Sequence, residues 1–194
     1  MARNVFFALV VLACSSLLVQ DATAINLESR QSPCVEISNP SFNLLARSKA
    51  NPASTDVIKV IDVHTVPRVG YSILSASTGT SAWSYNALVS YGFLPKSTSN
   101  PNLNTVSFSF VAGESPSFIS TQFPPPPIPA YCFTDNVVNP TTGPKLLAGA
   151  GYPDRWALCS NSTASGRRDV VYYPQAGHPH YVLADCDEVY LERV

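Results

Sequence analysis

Charge is scarce in this chain. Asp, Glu, Lys and Arg make up 13% of its 194 residues, about half the share usual in soluble domains. The 12 basic and 13 acidic side chains nearly cancel and are spread along the chain. No basic footprint is left for nucleic acid or an anionic lipid surface. Long apolar faces of period 3.6 are missing too, and 17 prolines interrupt the places where helices would run. The best helical stretch, Ser81 to Ser90, is short and reads as loop or strand. There is no C-x-x-C pair, which argues against a structural zinc site. No internal repeat is visible.

One long hydrophobic run is present, at the start. Arg3 precedes the uncharged stretch Val5 to Val19, and the small-x-small triplet Ala22-Thr23-Ala24 follows. This is the layout of a signal peptide, cut after Ala24, and the run is too short to span a bilayer comfortably. No later stretch resembles a membrane span or a lipid-anchor tail, so no membrane contact is expected after cleavage. The expected organisation is a signal peptide at 1–24, a flexible N-terminus or short pro-segment at 25–33, and one β-rich domain at 34–194.

With the signal removed, Cys14 is lost and Cys34, Cys132, Cys159 and Cys186 remain. An even count in an exported chain reads as two disulfides. Cys159 and Cys186 end two strand-like runs that suit neighbouring strands. This favours Cys159–Cys186 with Cys34–Cys132 among the three pairings. Asn161-Ser162-Thr163 is a glycosylation sequon without a blocking proline, set in a polar, glycine-containing loop. Arg167-Arg168 follows in that loop and is a candidate processing site for a dibasic protease.

The apolar residues come in short bursts of period two, rich in β-branched and aromatic types and separated by Asn-Pro and Gly clusters. Thr105–Val111 sets Val106, Phe108 and Phe110 on one face. Val57–Val63 is apolar on both faces, as in a strand covered on both sides. Cys34–Ser38 and His180–Ala184 also read as strands. About a dozen such runs predict an all-β fold, an antiparallel β-sandwich, with a β-barrel or β-trefoil as alternatives. The proline run within residues 123–129 reads as a structural crossover, with a linker between subdomains as the alternative.

Chemistry is harder to find. In Gly177-His178-Pro179-His180, a strand would point both imidazoles to one face, where they could share a metal, with Asp185 nearby. This resembles the first metal motif of the cupins, but the acid is Asp where theirs is Glu and no second motif follows. An exposed turn is the better reading, so no cofactor is expected. Gly113-Glu114-Ser115-Pro116-Ser117 lacks the last glycine of a nucleophile elbow. Trp83, Tyr85 and Tyr91 are candidates for a sugar-stacking platform, with Tyr172, Tyr173 and Tyr181 clustered later; Trp156 reads as core.

Phe42-Asn43-Leu44-Leu45-Ala46, Trp156-Ala157-Leu158-Cys159 and Cys186-Asp187-Glu188-Val189-Tyr190-Leu191 resemble the small secreted four-cysteine β-rich proteins of fungi. Many of these are cell-wall associated or act as virulence effectors on a host, and the resemblance implies such a setting here. The expected function is therefore a non-enzymatic interaction protein of the extracellular space, with an extracellular protein or polysaccharide as partner. A carbohydrate-binding or carbohydrate-active protein is the first alternative. A metal-dependent enzyme built on His178 and His180 is the second.

Overall fold

The computed structural model describes residues 33–77, 81–164 and 166–194. The expected signal peptide, and all of the 25–33 segment but its last residue, lie outside them. The described residues form thirteen antiparallel strands, one 3-10 turn at Leu183–Asp185 and no α-helix.

Six strands close into a barrel. They come from the two ends of the domain: β2 (Leu44–Ser48), β3 (Thr55–Val66) and β4 (Val69–Ser75), then β11 (Trp156–Ser160), β12 (Arg168–Tyr172) and β13 (Cys186–Arg193). Around the barrel the order is β2, β3, β4, β12, β11, β13, and β13 pairs back to β2. The chain is thus all-β and antiparallel as the sequence predicts, and the barrel alternative describes its main sheet.

The middle of the chain builds outward from this barrel. β7 (Thr105–Ser109) and β8 (Ser117–Thr121) extend it at β4, while β9 (Tyr131–Thr134) and β10 (Leu146–Gly149) extend it at β13. A separate three-stranded sheet of β1 (Asn39–Phe42), β5 (Tyr85–Val89) and β6 (Gly92–Lys96) lies over these extensions. Phe42 meets Phe133 at 4.9 Å and Phe93 meets Phe118 at 5.1 Å between ring centroids, so the two layers share one core.

Period-two alternation explains the barrel interior. Leu44 and Ala46, Ile58 and Val60, Trp156 and Leu158, and Val189 and Leu191 alternate inward and are buried. The Trp156 indole N–H donates to the Leu147 carbonyl at 2.8 Å, as a buried indole requires. The outer face of β3 is not covered as expected: Val57 is 59% exposed and Val63 39%. Cys34–Ser38 is not a strand either; only Glu36 bridges to Phe133.

The disulfides are Cys34–Cys132 and Cys159–Cys186, separated by 98 and 27 residues. The second joins two residues that face each other across β11 and β13, at the seam that closes the barrel. The proline run crosses between β8 and β9. Ile128 N–H donates to the Ser107 carbonyl at 3.1 Å, and Pro127 packs on Gly92 so closely that a Cβ there would lie 2.6 Å from its ring.

Candidate functional site

A cleft of about 320 Å3 lies against the outer barrel wall. Ile73 of β4, Asp169 and Val171 of β12 and Cys159 of β11 contribute to its floor, while His178, His180 and Tyr181 come from the loop above. That loop, residues 173–182, is not the strand start expected at His180. Pro174 and Pro179 each remove a ladder donor, and Gly177 adopts a φ of +77°, so the chain makes consecutive turns. Tyr181 anchors it. The Tyr181 hydroxyl donates to the Gly113 carbonyl and accepts from the Gln175 N–H, both at 2.9 Å, and its ring stacks on His178 at 4.3 Å.

A continuous hydrogen-bond network runs around the cleft. Arg167 pairs with Asp169, which is 4% exposed; Nε lies 2.9 Å from Oδ1, but the hydrogen bond is aligned on Oδ2, at 3.0 Å. Asn161 Nδ2 also donates to Oδ2, at 2.7 Å, which leaves Oδ1 buried without a hydrogen bond. Asn161 Oδ1 accepts from the Thr163 N–H and hydroxyl. With its only hydrogen spent there, the Thr163 hydroxyl accepts from His180 Nδ1, at 3.4 Å. The His180 backbone N–H donates to His178 Nδ1 at 3.3 Å, so the His178 proton sits on Nε2 and is donated to Glu114, at 3.1 Å.

This geometry places the residues singled out in the sequence. His178 and His180 do come together, with ring centroids 5.5 Å apart. Both ring nitrogens of His178 are already engaged, however, and His64 stacks on Tyr71 and does not line the cleft. No three His, Cys, Asp or Glu side chains among the described residues could hold a metal ion. Asp185 sits in the 3-10 turn and does not line the cleft. Ser115 and Ser117 line it, but neither has a hydrogen bond to a histidine among the described residues.

Arg167 and Arg168 are not on a free loop. Arg168 begins β12, pairs with Asp56 at 2.9 Å, and its carbonyl accepts from Ala76 N–H and the Ser75 hydroxyl. Arg167 lies just before the strand and Arg168 is its first residue, so the bond after Arg168 lies within a barrel strand. Asn161 puts its amide in the cleft wall, where one N–H donates to Asp169.

The aromatic candidates are dispersed. Trp83 is 8% exposed and joins the core. Tyr85 starts β5, whereas Tyr91 lies in the turn after its far end, so the three form no single platform. Tyr172 is core and Tyr173 is exposed, stacked by Arg155 at 4.8 Å. A partly exposed aromatic row does exist elsewhere. His64, Tyr71 and Phe108 lie in sequence on β3, β4 and β7, with centroids 6.3 and 6.2 Å apart. Only strand order brings them together, and nothing local in the sequence announces it.

The fold and site thus define a disulfide-bonded, closed-barrel all-β protein with a hydrogen-bonded polar cleft on its outer wall. The chain matches no protein-family model, no curated protein and no solved structure.

Proposed function

We propose that this is a secreted interaction protein that acts by binding, with the cleft beneath the 173–182 loop as its ligand site. The observation that carries the proposal is the continuous network from Arg167 to Glu114. It fixes donors and acceptors in place around a cleft at the small end of ligand-site volumes. Preorganised polar groups of this kind favour recognition, because little ordering remains to be done on binding. The two disulfides fit an oxidising compartment. The signal-peptide pattern fits export, and the likeness to fungal four-cysteine proteins suggests an effector-like role at a cell wall or in a host's extracellular space. A glycan on Asn161 would stand at the rim of the cleft.

The test begins with the protein recovered from culture medium. Peptide mapping should find a mature chain starting near Ile25, glycan on Asn161 and an intact Arg167-Arg168 bond. The purified protein is then presented to extracellular protein and polysaccharide fractions beside a His180→Ala variant, which removes the side chain joining the two halves of the network. Capture of a partner that the variant fails to hold supports the reading. Retention of the protein inside the cell, or capture unchanged by His180→Ala, defeats it.

A further inference from the structure

A second recess has the opposite character from the cleft. It measures about 840 Å3 and lies between the tip of the β3–β4 hairpin and the loop at 97–104. Asn100, Asn102, Asn104 and Gln122 line it, with Arg68 and Trp83. Among the described residues, none of the four amide side chains has an internal hydrogen-bond partner. Some amides elsewhere are used by the fold, as Asn39 donates to Glu36, Asn136 to the Pro144 carbonyl and Asn161 to Asp169. Others, such as Asn43, Asn51 and Gln175, are left singly to solvent; the recess is where four unbonded amides converge.

Two further observations set this recess apart from ordinary polar surface. Trp83 is more than nine-tenths buried, yet its indole N–H has no acceptor. A buried indole N–H normally has one, as that of Trp156 does. Arg68 occupies the second turn position of the β3–β4 hairpin at a φ of +72°, next to Pro67, where glycine is the favoured residue. The chain thus holds an arginine in a left-handed conformation at the lip of the recess.

From these features we propose that the recess is a binding site for a neutral, polyhydroxylated ligand, a saccharide chain. Carboxamides present a donor and an acceptor side by side, which matches neighbouring sugar hydroxyls. Trp83 contributes the small exposed part of its ring to the wall, and its buried N–H has no acceptor of its own, so its resonance reports on what enters beside it. Asp62 and Arg68 are the two charged residues lining the recess, and their opposite signs leave it neutral overall, unsuited to selecting an anion or a cation. This site is separate from the cleft and stands or falls without it.

The test is a titration of 15N-labelled full-length secreted protein with soluble oligosaccharides of cellulose, chitin, β-1,3-glucan, xylan and mannan, each alone. The expected result is a saturable shift of the Trp83 indole resonance together with the side-chain amides of Asn102, Asn104 and Gln122. The Trp156 indole, bonded to Leu147, should stay still. The exposed pair Asn102→Ala and Asn104→Ala should keep the wild-type spectrum elsewhere and weaken binding by about tenfold or more. If no oligosaccharide moves the Trp83 resonance at millimolar concentration, or the double variant binds like the wild type, the proposal is wrong. Shifts confined to the His178 and His180 rings would also overturn it, because they would place the sugar in the cleft.

Discussion

Tyr131 lies wholly inside the core, and its hydroxyl has nothing to bond. Burial alone pushes this phenol well above its ordinary acidity range. An unmet buried hydroxyl costs about 1–3 kcal/mol, whereas the ring earns its place against Phe93 at 5.5 Å and Phe110 at 5.2 Å. Tyr131→Phe should therefore stabilise the protein by about 1 kcal/mol in urea unfolding; a loss of stability would mean that the hydroxyl has a partner. Glu36 is the contrasting case. Partial burial pushes its carboxyl up, but hydrogen bonds from Asn39, Lys145 and Arg193 outweigh this and hold it below its ordinary 4.5. Its stabilisation is complete above 4.5, where the unfolded chain is also ionised, and is lost as the pH falls through the lower folded value. Glu36→Gln should cost about 1–2 kcal/mol at neutral pH. The gap between variant and wild type should close on acidification, and a gap independent of pH would count against the ion cluster. Local signals at this scale were legible: cysteines ending strand-like runs, and a sequon in a polar loop. The pairing of His178 with Glu114 was not, because 64 residues separate them and only the fold brings them together.

Strands were readable where one face is apolar and hidden where that rule fails. β10, Leu-Leu-Ala-Gly, is buried throughout and shows no alternation, and β6 carries Pro95 and Gly92. β7 shows how a regular pattern can mislead. A bulge between Ser107 and Ser109 leaves Phe108 43% exposed, while Phe110 packs on Tyr172 at 4.4 Å. Three residues that alternate perfectly in sequence thus do not share a face. The β5–β6 hairpin carries a different constraint. Its turn residues Ser90 and Tyr91 hold φ values of 47° and 68°, as a tight two-residue turn demands, and the Tyr91 N–H and carbonyl are bonded to Ile37 and Tyr131. Gly92 follows at a φ that other residues adopt, so its role is space for Pro127. Gly92→Ala should push the stiff proline run off the hairpin and destabilise the protein by about 1–3 kcal/mol in chemical denaturation. No change would mean that the crossover is free to move aside.

Closure of the barrel by the two ends of the domain bears on how the whole molecule unfolds. Arg47 on β2 pairs with Glu192 on β13 at 2.7 Å across 145 residues of chain, so the barrel cannot form until nearly the whole domain has been made. The proline run between β8 and β9 is where a division into two subdomains would fall. The packing crosses it instead: Phe93 and Phe118 before the run share a core with Tyr131 and Phe133 after it, and Cys34–Cys132 bolts the near end of β9 to the start of the domain. Neither side can unfold without stripping the other of aromatic contacts. The expected outcome is one cooperative transition, with tryptophan fluorescence and far-ultraviolet circular dichroism coinciding and calorimetric and van't Hoff enthalpies equal. Trp83 lies before the proline run and Trp156 after it, so fluorescence weights one residue in each part while circular dichroism follows every strand. Refolding with the disulfides intact should be slow, on the scale of milliseconds to seconds, because long-range antiparallel pairing must precede any stable core. If the two probes separate, the proline run is a linker and the shared core is weaker than its ring contacts suggest. If they coincide but reduction of the disulfides splits them, Cys34–Cys132 is what joins the halves and the aromatic layer only follows.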